Sequence, residues 1–89
     1  MIENNCVKRD EKTASRIIDG QAVIMTLGDN TLHTLNGVGS RIWELCDGEK
    51  TLRDIADVIH EEYMIDYENA LADCETFVQV MKSKGMLFI

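Results

Sequence analysis

Two regimes of polar and apolar positions follow one another along the chain: a β-branched, strand-like one from Ala14 to Leu35, then a helical one from Asn36 to Gly85. In the first, Ser15 to Ile18 leads into Asp19-Gly20, a turn dipeptide, and Gln21 to Leu27 follows as an apolar and β-branched run. A second turn, Gly28-Asp29-Asn30, precedes Thr31 to Leu35. Tight turns between runs of this kind predict three short strands in an antiparallel meander. Such a sheet is marginal in water unless helices cover one face.

The helical regime supplies that cover. Asn36 can cap a first helix, with Val38, Ile42, Leu45 and Cys46 at helical spacing and Asp47-Gly48 as its stop. Thr51, with Asp54 three residues on, approaches a capping box, and Leu52, Ile55, Ala56, Ile59 and Tyr63 form the apolar stripe of a second helix. After a connector around Met64 to Asp66, Ala70, Leu71, Cys74, Phe77, Val78 and Met81 mark one face of a third helix that Gly85 ends. Met86 to Ile89 is an apolar tail that needs cover, as a short strand or against the core. The predicted fold is α+β and winged-helix-like, a three-stranded antiparallel sheet followed by three helices over residues 14–89. Residues 1–13 read as an N-terminal arm without defined order, save for a short strand around Cys6 and Val7.

Composition narrows the function classes. Eighty-nine residues suit one domain with a modest core. Sixteen acidic against nine basic residues give a formal charge of -7, with no basic stripe, which excludes nucleic acid as the expected partner. No apolar run approaches the roughly 20 residues of a membrane span, and no basic segment followed by an apolar one opens the chain. The expectation is a cytoplasmic protein with no membrane partner. Cys6, Cys46 and Cys74 are odd in number and widely spaced, so each reads as a small, buried or partly buried apolar residue rather than part of a disulfide framework or zinc site.

A search for chemistry finds no convergent constellation. His33 falls in a strand and His60 in the second helix as a solvated residue, and His60-Glu61-Glu62 is not a zinc motif. Gly37 and Gly39 lack the third glycine of a dinucleotide loop. Asp57, Glu61, Glu62, Asp66, Glu68, Asp73 and Glu75 lie off the apolar stripes and read as a solvated face, or else as a docking surface for a basic partner. Met25 and Met81 take core-like, gap-filling positions. No catalytic residue, metal ligand or cofactor is expected.

One stretch carries a family likeness. Leu35-Asn36, Gly39, Ile42-Trp43-Glu44-Leu45, Asp47-Gly48, Thr51-Leu52 and Ile55 together resemble the core pattern of the coenzyme PQQ synthesis protein D family. The likeness extends through Tyr63 and the third helix to Lys84-Gly85-Met86-Leu87, about Ser15 to Leu87. The resemblance implies a recognition element for ribosomally made, later modified peptides, whose leader adds a strand to the edge of the third strand beside the third helix. Strand addition satisfies the open amides and carbonyls of an edge, and side-chain pockets supply selectivity.

Carried over by position, the likeness implies that Thr31, Leu32, His33 and Thr34 supply the edge and that Cys74, Phe77, Val78 and Met81 wall the groove. Leu35, Ile42 and Trp43 are expected in the core, and Asn36 as a cap. The implied partners are a precursor leader peptide and its modifying enzyme: a radical S-adenosylmethionine enzyme, a leader protease or a cyclase. The shared motif does not separate a PQQ pathway from a lasso-peptide or other pathway. An exposed strand edge can also pair with a second copy, giving a homodimer. The competing reading, a winged-helix DNA-binding regulator, rests on helix order alone and predicts a basic recognition helix that this acidic chain lacks.

Overall fold

The computed structural model describes residues 4–26 and 30–89. Its elements run β1 (Cys6–Arg9), β2 (Thr13–Ile18), β3 (Gln21–Thr26), β4 (Thr31–Thr34), α1 (Gly37–Leu45), β5 (Asp47–Thr51), α2 (Leu52–Tyr63), α3 (Tyr67–Ser83) and β6 (Leu87–Phe88). The predicted meander is present as the antiparallel sheet β2-β3-β4. Asp19 and Gly20 both take positive φ (52° and 78°), the backbone of a two-residue hairpin turn that matches strand twist. Of the second predicted turn, Gly28 and Asp29, with Leu27 before them, lie outside the described residues.

The second sheet, β5-β1-β6, enlarges the predicted architecture, and the winged-helix analogy is correspondingly loose. The region read as an arm contains the middle strand of that sheet, and Val7 on it is fully buried. Arg9 goes further. Its Nη1 donates to the carbonyls of Trp43 (2.9 Å) and Glu44 (3.0 Å) at the end of α1, a helix with no basic residue in its own last turn. A cation from β1 thus serves the negative end of the α1 dipole.

Local chemistry sets the helix ends as the sequence predicts. Asn36 accepts from Gly39 N (2.7 Å), and Thr51 with Asp54 forms a complete capping box. Gly85 takes φ 73°, and Met86 N donates back to Met81 O, which ends α3 and turns the chain into β6. α1 packs on β3 and α2, and α3 on α2 and β6. One continuous core results, formed by Ala22 and Ile24 from β3, Ile42 and Trp43 from α1, Leu52, Ile55 and Ile59 from α2, and Cys74 and Val78 from α3, with Val7, Met86 and Leu87.

The meander is tied to α1 through one buried hydroxyl. Ser40 Oγ accepts from Ala22 N at 2.6 Å and donates to Leu35 O at 3.2 Å. Replacing Ser40 with Ala leaves a buried amide unsatisfied, which costs about 1–3 kcal/mol. The expected result is a melting temperature lower by roughly 5–20 °C, read by calorimetry.

Four side chains depart from their expected places, the first being Cys6, which is exposed at the start of β1 rather than buried. His60 is partly buried rather than solvated: its Nδ1–H donates to the Ile65 carbonyl, which can only accept, and its ring meets Tyr67 edge-on. Tyr63 lies at the margin of the α2 stripe, half exposed, with its hydroxyl donating to Gly37 O (3.3 Å). Met25 projects from the outer face of the meander, where its neighbours across the strands are Ala14 and Leu32.

Candidate peptide-binding site

β4 forms one edge of the meander, with β3 on its inner side. The register pairs Val23 with Thr34, Ile24 with His33 and Met25 with Leu32, and Leu35 N donates to Ala22 O just beyond. Antiparallel pairs alternate between bonded and non-bonded, so His33 exchanges its hydrogen bonds with Ile24 while Leu32 and Thr34 turn theirs away from the sheet. The open edge therefore offers the amides and carbonyls of Leu32 and Thr34. Side chains alternate too: His33 is half-buried, facing inward with Ile24, whereas Leu32 is 62% exposed.

Beyond the end of β4 lies a hollow of about 330 Å³ between the N-terminus of α1 and α3, lined by Asn36, Val38, Gly39, Ile42, Asp73 and Phe77. The sequence builds it with two devices. Asn36 spends its side-chain oxygen on the cap, and Gly39 leaves room for it, since a Cβ there would come within 3.1 Å of Asn36 Oδ1; the Phe77 ring lies beside the same turn.

The four α3 residues that the resemblance places on the groove wall divide here. Cys74, Val78 and Met81 are buried in the core, since the stripe that covers the helix layer cannot also face outward. Phe77 lines the hollow. On the helix wheel Asp73, Phe77 and Val80 share a flank at spacings of four and three, and Val80 is 47% exposed. Asp73 and Val38 are the lining residues missed: Asp73 reads as solvated surface, and Val38 as part of the apolar spacing of the first helix.

Two of the three cysteines lie in the core. Burial pushes the Cys46 and Cys74 thiols up to about 12, so both stay protonated at neutral pH. Nucleophilic chemistry needs the thiolate. Among the described residues no group of three or more His, Cys, Asp or Glu could hold a metal ion, and no helix is long and apolar enough to cross a membrane. Native protein is expected to give one fast-reacting thiol with a disulfide reagent, exposed Cys6, with Cys46 and Cys74 reacting only on unfolding. The raised thiols also favour the fold only while neutral: that stabilisation is complete below a pH of about 9 and is lost as pH rises toward about 12.

The sequence from Gln21 to Leu87 matches the family model for coenzyme PQQ synthesis protein D (PqqD). The chain belongs to the PqqD family. Among curated proteins no sequence matches it. Two solved structures are similar. TbiB1 in complex with the TbiA(beta) leader peptide is 32% identical, with a TM-score of 0.83 over 90% of this chain and 93% of that one. A lasso peptide synthetase B1 complexed with its leader peptide shares the fold at 21% identity, with a TM-score of 0.81 over 94% and 99% of the two chains. Within this PqqD-family domain, the motif residues Asn36, Gly39, Ile42, Trp43, Thr51, Leu52 and Ile55 form caps and core, so the family signature is mainly a signature of fold.

Proposed function

We propose that this PqqD-family chain is a non-catalytic recognition module that binds the leader segment of a ribosomally made precursor peptide and presents it to a modifying enzyme. The observation that carries the reading is the likeness, over nine-tenths of each chain, to a protein solved with a leader peptide bound, in a fold whose β4 edge is open. The leader adds as a strand to Thr31–Thr34 through the Leu32 and Thr34 backbone and sets an apolar side chain in the hollow beside Phe77. Ordering a flexible leader costs about 2–5 kcal/mol, which that anchor must offset. Titration of labelled protein with leaders of precursors encoded beside it, followed by backbone amide shifts, tests the reading. Movement of Leu32, Thr34, Val38 and Phe77 supports it; absence of change in β4 and α3 sinks it.

The enzyme partner belongs to the class of radical S-adenosylmethionine enzymes, leader proteases or cyclases, acting in the cytoplasm. Its docking surface is the outer face of the meander, where Ala14, Ile18, Val23, Met25 and Leu32 line an apolar hollow of about 220 Å³. Leu32 belongs to both this face and the β4 edge, so a bound leader lies against the enzyme.

The other edge of the meander, β2, suits a second copy. It runs six residues without a carboxylate or proline, and Ile17 on it is half exposed. Ile17 turns its amide outward by the same alternation, so Ile17→Pro blocks that edge without breaking the β2–β3 ladder. The expected outcome in analytical ultracentrifugation is a concentration-dependent dimer for the native chain and a monomer for the variant.

A further inference from the structure

We infer that the peptide site selects a basic residue, lysine or arginine, next to the apolar anchor, and that Asp73 is the specificity-determining residue. This deepens the leader-binding reading and rests on it.

The hollow beside β4 has an apolar floor of Val38, Ile42 and Phe77 and, among the described residues, a single carboxyl group at its margin, that of Asp73. The other polar side chain lining it among the described residues is Asn36, whose Oδ1 accepts from Gly39 N. Asp73 is exposed, one α3 turn before Phe77 on the same flank, and makes no ion pair among the described residues, where Arg41 pairs with Glu62 and Lys50 with Asp47. Among the described residues no cation lines the hollow.

A peptide seated there strips water from Asp73. Without a counter-charge that burial is unfavourable, and an acidic peptide residue at the same place adds repulsion. A lysine or arginine answers both demands, because its methylene stem lies along the apolar floor while its head reaches the carboxylate. The chain's charge of -7 draws basic peptides toward it before contact. The acidic surface of α2 and α3 thereby acquires a use that solvation alone does not require.

The probe is a displayed library of twelve-residue peptides with one fixed leucine and every other position randomised, selected on the full chain at about 50 mM salt. The native chain is expected to enrich Lys or Arg within about three residues of an apolar anchor. Asp73→Asn removes that preference while keeping the anchor, and Asp73→Lys replaces it with Asp or Glu at the same offset. The best native-selected peptide should bind Asp73→Asn about 3- to 10-fold more weakly, with the difference shrinking at high salt. Asp73 is exposed, so all three proteins should melt alike. Unchanged basic enrichment on Asp73→Lys, or no basic enrichment on the native chain, overturns the inference and leaves leader binding standing. Failure of the native chain to enrich any peptide overturns leader binding itself, and this inference with it.

Discussion

Trp43→Ala is expected to cost about 3–5 kcal/mol, a large share of the roughly 4–13 kcal/mol available to a domain of this size. Trp43 is 2% exposed and sits where α1 faces both sheets: its indole Nε1 donates to Ser15 Oγ on β2, and its carbonyl accepts from Arg9 on β1. Truncation opens a ring-sized cavity and removes the hydrogen bond between α1 and the β2 edge together. Thermal melting should shift down by roughly 12–40 °C, or the cooperative transition should vanish. Trp43→Phe, which keeps a six-membered ring in the core while losing the five-membered ring and the bond to Ser15, should cost markedly less. Equal losses for the two variants would show that the packing account is wrong.

The second large effect separates recognition from stability. Leu32→Pro removes an outward-facing amide of β4, whereas His33→Pro removes an amide bonded to β3. Leu32→Pro is therefore expected to weaken leader binding by roughly 10- to 100-fold, one or two hydrogen bonds' worth with the loss of strand fit, with a modest change in melting temperature. His33→Pro should damage both. Calorimetric titration paired with thermal denaturation distinguishes them, and a Leu32→Pro protein that binds as tightly as the native chain would remove strand addition from the mechanism.

What could be read from the sequence was what is encoded locally. The Asp19-Gly20 turn, the Asn36 cap, the Thr51–Asp54 box and the Gly85 stop each depend on a few adjacent residues, and all four appear in the structure. β1, β5 and β6 depend on partners far away in the chain. β5 is Asp-Gly-Glu-Lys-Thr, with no apolar alternation to betray a strand, and it pairs with a segment some forty residues earlier. Its Asp47 instead reads as a helix stop, while in the structure its carboxylate is held down to about 2 by Lys50 and the Glu49 amide. The site was half legible for a related reason. A helical stripe reports what is buried, so it recovers Cys74, Val78 and Met81 as core and gives no weight to the flank where Asp73 borders the groove.

The place of β1 between β5 and β6 bears on how the chain folds. β2, β3 and β4 can zip through short loops, but β1 finds its neighbours only after the intervening helices have brought residues 47–51 and 87–88 around to it. These are the slow, high-separation contacts of the topology. A fragment beginning at Ala14, the boundary that patterning alone recommends, would lose the strand on which both ends of the second sheet close and the arginine that seals α1. It should collapse without locking. The segment that looks most dispensable in the sequence is the one that completes the domain.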